Sequence, residues 1–211
     1  MVVVVLGAPA VAQQDDWLIN PSPYRADVRQ EGRQLIFENG LLRLRIQQQP
    51  FALVGIEQLT SGQQLLRAAA PLGEFTLDGE VVRVGGVINQ PNRAFLLHEW
   101  LDEMPADPLA IEAPAQMTMT DPIVERMPWA RVRHAHPAAN WPPSGQHMRW
   151  RVDAGDYEVF VNIELYDGLP LFSHWLELHN KADEPIEVDS FTSLRLPIVE
   201  AEARVEPQRR G

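Results

Sequence analysis

Asn39-Gly40 sits between two apolar-rich runs, Leu35-Ile36-Phe37-Glu38 and Leu41-Leu42-Arg43-Leu44-Arg45-Ile46. Both turn residues tolerate a positive φ, so an Asn-Gly pair flanked by such runs is a strong hairpin signal. In the second run Leu42, Leu44 and Ile46 alternate with Arg43 and Arg45, the period of a half-buried strand. A chain that begins its ordered part this way is set for antiparallel sheet.

The habit repeats. Val54-Gly55-Ile56-Glu57-Gln58-Leu59 meets a turn at Thr60-Ser61-Gly62, and Asp78-Gly79 separates Phe75-Thr76-Leu77 from Val81-Val82-Arg83-Val84. From Tyr157 to Leu165 one face collects Val159, Val161, Ile163 and Leu165 and the other Glu158, Asn162 and Glu164. Phe160 breaks the polar side, which implies that this second face is partly covered. Phe172, His174, Leu176 and Leu178 share a face of the next run. A polar turn over Asn180-Lys181-Ala182-Asp183-Glu184-Pro185 then leads to Ile186-Glu187-Val188-Asp189. The expectation is an all-β chain arranged as a meander. Eighteen prolines and 13 glycines favour turns over long helices.

Between the two halves, from about Leu101 to Gln146, the chain is rich in Pro, Met and Ala. Glu99 to Asp107 suits a short helix, but Pro105, Pro108, Pro114 and Pro122 interrupt anything longer. Long loops of this kind in a compact domain serve a function or embrace a neighbour.

The formal charge of -11 disfavours non-specific nucleic-acid binding, which needs a cationic surface. It suits neutral partners such as sugars. The absence of Cys removes disulfides, thiolate metal sites and a cysteine nucleophile. No stretch is long enough to span a bilayer as a helix. Residues 1–14 read as the remnant of an export signal: Val2-Val3-Val4-Val5-Leu6 is apolar, and Ala10-Val11-Ala12 has the small-x-small form of a cleavage site. The alternative is a buried N-terminal strand. The export reading makes the protein secreted or periplasmic, with one domain over residues 15–211. The charged tail from Glu200 to Gly211 ends without a turn or cap, as in a piece of something longer.

Several segments, in order, carry a family resemblance. They are Asn39-Gly40-Leu41-Leu42-Arg43, then Leu59-Thr60-Ser61-Gly62-Gln63-Gln64-Leu65-Leu66-Arg67, then Asp78-Gly79 followed by Val84-Gly85-Gly86-Val87 and Gln90-Pro91. Trp141-Pro142-Pro143-Ser144-Gly145, Tyr166-Asp167-Gly168-Leu169-Pro170 and Asn180 complete the series. Together they resemble the large sandwich that precedes the catalytic barrel in α-galactosidase-type glycoside hydrolases (family thirty-six and its relatives). The resemblance implies an antiparallel β-supersandwich of the galactose-mutarotase-like type, with long loops and little helix. It also implies that the catalytic carboxylates lie on a separate (β/α)8 barrel. Nothing in this sequence alternates strands with long amphipathic helices as a barrel does, so no catalytic residue is assigned. On this reading the domain supports the barrel of a secreted enzyme, with a galactoside-like carbohydrate as ligand and no cofactor, nucleic acid or membrane as partner. The alternatives are a free-standing carbohydrate-binding module and an aldose-epimerase-like enzyme.

Individual residues were weighed against plainer roles. His134-Ala135-His136, with His98 and His147, lacks a third ligand at a recognisable metal spacing and is read as a loop pair, so no metal site is assigned. Asp167 is expected to support the backbone around its turn, and Glu164 and Glu177 to be solvated or paired with Arg. His174 or His179 with Glu200 would suit the acid–base pair of a mutarotase. However, no matching motif surrounds them, and His174 falls on the apolar face as a core histidine. Gly85-Gly86 reads as a bend or bulge. Of the tryptophans, Trp150 and Trp175 are expected in the core. Trp129 and Trp141 fall in the irregular section, and Trp141, held by two prolines, is the candidate sugar-binding residue.

Overall fold

The computed structural model describes residues 16–91, 96–111, 116–123 and 142–199. The chain starts with a five-stranded antiparallel sheet made by β1 (Asp27–Glu31), β2 (Gln34–Glu38), β3 (Leu42–Gln48), β4 (Phe51–Gln58) and β5 (Gln63–Gln64), paired in chain order. After β6 (Glu74–Leu77) and β7 (Glu80–Val84) comes a short 3-10 helix, His98–Glu103, then β8 (Ala110–Ile111) and β9 (Gln116–Thr120). β10 (Gly145–Asp153), β11 (Tyr157–Tyr166) and β12 (Phe172–Asn180) form a second sheet with β9, in the order β12-β11-β10-β9. β13 (Val188–Thr192) leaves this meander and pairs with β6, which gives a third sheet ordered β13-β6-β7-β8. The fold is all-β and sandwich-like; the expected meander holds within β1–β5 and within β9–β12, while β8 joins β7 in parallel and β13 returns to β6.

One apolar core draws on all three sheets. Leu42, Leu44 and Ile46 of β3 enter it with Phe75 and Leu77 of β6 and Met148, Trp150 and Val152 of β10. Val159, Val161, Ile163 and Leu165 of β11 complete its centre, as the alternation predicts. β4 differs, because six successive residues from Phe51 to Ile56 are buried. Phe51, Leu53 and Ile56 face the main core, while Ala52 and Val54 face a second cluster with Leu96, Leu101 and Met104. A strand covered on both faces reads as a continuous apolar run, and the short helix supplies the second cover.

The hairpins follow local chemistry. β2 and β3 pair across Asn39-Gly40, but the turn sits one residue later than an Asn-Gly turn would. Gly40 takes a φ of +82° while Asn39 does not take a positive φ. Its side chain works instead: Asn39 Oδ1 accepts from Leu41 N at 3.0 Å and Leu42 N at 2.9 Å. Asp78-Gly79 closes β6 onto β7, with Asp78 at φ +48°. On the outer surface of the first sheet Arg29, Glu38, Arg43, Glu57 and Arg45 form a chain of ion pairs. Partial burial opposes ionisation of Glu38, yet Arg43 and Arg29 hold its carboxyl below the usual range.

Gly85-Gly86 forms the expected bend. Gly85 has φ +71°, and a Cβ there would collide with the Phe51 carbonyl oxygen. Gly86 N donates to that same oxygen at 2.7 Å. Gly85→Ala therefore combines left-handed strain with a backbone clash, and is expected to cost about 2 kcal/mol or more in urea unfolding.

Candidate functional site

Three of the segments that carry the family resemblance meet at one end of the sandwich. Asn39, 1% exposed, donates from Nδ2 to the carbonyl oxygens of Tyr166 at 2.7 Å and Leu169 at 2.6 Å. With its two accepted bonds, this one amide joins the β2–β3 turn to the β11–β12 turn. Asp167 extends the junction: Oδ1 accepts from Ala26 N at 2.7 Å, and Oδ2 accepts from Ser144 Oγ at 2.7 Å and Arg25 NH1 at 2.8 Å. Asp167 N donates to Ser144 O at 2.8 Å, and Gly168 N to Tyr24 O at 2.7 Å. The expected supporting role of Asp167 is realised, but it serves the entry to β1 and the Pro142-Pro143-Ser144 loop rather than its own turn. Trp141, the candidate sugar contact, lies outside the described residues, as do Trp129, His134, His136, Glu200 and residues 1–14. Pro142, which follows Trp141, is two residues from this junction.

The second polar feature is the outward face of β9–β12. Strand register sets its rows: Thr120, His147, Glu164 and Ser173 share one, and Thr118, Arg149, Asn162 and Trp175 the next. Gln116, Arg151, Phe160 and Glu177 make the third. His147, Asn162 and Glu164 are buried although their strands show this face outward. Such burial is tolerated only with hydrogen bonding, and the bonds are present. His147 lies 3.2 Å from Thr120 Oγ1 through Nδ1 and 3.0 Å from Asn162 Oδ1 through Nε2. Asn162 Nδ2 donates to Glu177 at 3.3 Å, which leaves Oδ1 as the acceptor and assigns the hydrogen to His147 Nε2. Glu177 also accepts from Trp175 Nε1 at 3.1 Å and Arg149 NH2 at 2.9 Å.

Rings complete the packing. Trp175 stacks on His147 with centroids 5.2 Å apart, and the Arg149 guanidinium lies 3.8 Å above the Phe160 ring. Phe160 thus covers this face as its place in the alternation suggested. Glu177 pairs with Arg149 as expected. Glu164 does not behave as expected: it is 3% exposed and takes bonds from Ile123 N at 2.5 Å and Tyr166 OH at 2.7 Å. Burial, and then Glu164, keeps the Tyr166 phenol far above its ordinary range, with the Ser173 hydroxyl working the other way. The phenol therefore stays a donor to Glu164 and accepts from Ser173 at 2.7 Å.

Trp150 is a core residue, 2% exposed. Trp175 is not; it belongs to the polar face because it is odd in register against Leu176 and Leu178. His174 is on the core side as read. His98, in the short helix, is pushed to a lower pKa by burial and then by Arg45. Among the described residues no three His, Asp or Glu side chains are arranged to hold a metal ion. The part-exposed Glu177, Arg149 and Trp175, held by the buried Asn162, set a carboxylate and a guanidinium beside a ring, the chemistry that hydrogen-bonds hydroxyl-rich ligands. The signal for this face was the polar side of the β11 alternation, interrupted by Phe160.

No protein-family model matches the chain, and no curated protein matches it. Loss of the Asn39 amide would remove four hydrogen bonds from this junction. Asn39→Ala is expected to cost about 2–4 kcal/mol by chemical denaturation, and Asp167→Asn less, since Asp167 is partly solvated.

Proposed function

We propose that this chain is the non-catalytic β-sandwich domain that precedes the catalytic barrel in an exported α-galactosidase-like glycoside hydrolase. The observation that carries this reading is the junction at Asn39. The turn of the Asn39-Gly40 segment, the Pro142-Pro143-Ser144 loop and the Tyr166-to-Pro170 turn lie far apart in sequence and are bonded to one another. The β10–β11 pairing brings the last two together, and Asn39 adds the first, so the three segments act as one structural unit. In this role the sandwich supports the barrel, and Trp141, three residues ahead of Ser144 in sequence, is the sugar contact.

A free-standing carbohydrate-binding module is the second reading, and the polar face of β9–β12 favours it. Carboxylate, guanidinium and indole groups there are held by their neighbours, so little ordering entropy would be lost on binding a sugar.

Titration of galactosides against tryptophan fluorescence separates the two. A saturable change abolished by Trp141→Ala and retained in Glu177→Gln supports the first reading; the reverse dependence supports the second. Release of nitrophenol from a nitrophenyl α-galactoside by this chain alone would overturn both.

A further inference from the structure

The core side of β12 carries one residue out of character. Phe172, Leu176 and Leu178 pack on the main core, and His174 shares their face. Its Nδ1 lies 3.1 Å from Ser193 Oγ, while its Nε2 is buried without a hydrogen-bond partner. Ser193 follows β13, so this bond links β12 to the end of a strand in another sheet. Beyond it the chain runs along residues 65–67. Arg67 N donates to Pro197 O at 2.9 Å, Val199 N donates to Leu65 O at 2.8 Å, and Leu194 and Leu196 rest on the core.

We propose that His174 is an acid-sensitive latch, holding residues 193–199 against the sandwich and releasing them when its imidazole takes up a second proton. A neutral imidazole has one N–H and one bare nitrogen, whereas the cation has two N–H groups. The closed seam offers the ring Ser193 at Nδ1 and, more weakly, the Leu72 backbone. Nε2 has no well-formed hydrogen bond, so a second N–H there would be poorly matched, and the charge would be buried with it. The charged groups on the surrounding elements give no relief. Glu74 on β6 bonds Arg83 on β7 at 2.8 Å and meets Arg195 at 3.5 Å. Glu164 on β11 and Glu177 on β12 lie on the opposite face of their sheet, and the residue paired with His174 across β11 is Ile163.

Burial accordingly pushes the His174 pKa from 6.5 down to about 4, with the Leu72 backbone opposing in part. Once residues 193–199 are released, the His174 ring on β12 is opened to water and regains its ordinary affinity for protons. The open form then binds more protons than the closed one below about pH 6.5. Seam stability is thus complete above that pH, declines as the pH falls toward 4 and is level below it.

Hydrogen exchange at the Arg67 and Val199 amides, corrected for intrinsic pH dependence, reads the seam directly. Between pH 7 and pH 5 its opening constant is expected to rise about 20-fold in the full chain. In His174→Gln, whose side chain does not titrate, it should stay flat. An equal rise in the variant would overturn the latch. So would a matching rise at the Leu44 amide of β3, which would mean that the whole sandwich loosens. Should the variant fail to fold, the imidazole proton resonances of the unaltered protein decide: a native His174 titrating near 6.5 also overturns it.

Discussion

A single buried carboxamide ties the two halves of this molecule together. Asn39 satisfies two N–H groups of its own turn and two carbonyls of the turn between β11 and β12. An amide is suited to this because it offers an acceptor and two donors in one plane. A carboxylate would face the two carbonyls with lone pairs, and an aliphatic residue would form none of the four bonds. Asp167 then spreads the junction to the entry of β1 and to the loop ahead of β10. The apolar core supplies most of the stability of such a fold, but this junction determines how the first sheet meets the β10–β12 hairpins.

The second face of β9–β12 follows a different logic. Its charges are not isolated: Glu177 is met by three donors, and Glu164 by a backbone N–H and a phenol. Networks of this kind are firm when complete and costly when any member is lost. The half-exposed members of the face, Trp175 and Arg149, are oriented by Glu177, although Arg149 Nε is buried without a partner. The outer surface of the first sheet is also charged, and there Arg and Glu alternate as part-buried ion pairs.

What could be read from the sequence depended on how local the cause was. Both Asn39-Gly40 and Asp78-Gly79 mark real hairpins, and the alternations in β3 and β11 name the residues that enter the core. β1 escaped notice because Asp27-Val28-Arg29-Gln30-Glu31 has one apolar residue and is held by pairing and ions rather than by periodicity. The Asn39-Gly40 turn slid by one residue because the Asn39 side chain had a stronger use than a positive φ. Glu164 was read as solvated because its cover comes from Ile123, 41 residues away, which strand alternation cannot foresee. Trp175, expected in the core with the strand that carries it, falls instead on the polar face, opposite Asn162. Trp141, on which the sugar-binding reading leaned, lies outside the described residues.

The pairing of β13 with β6 also shapes how such a chain must be made. Gly79, in the turn beside β6, finds its Asp189 partner 110 residues downstream. On a ribosome, β6 and β7 emerge long before β13 exists, so one border of that hairpin has no strand to receive its backbone groups. Unsatisfied borders of this sort invite pairing with the wrong chain. The brevity of β6, four residues, limits that danger during synthesis.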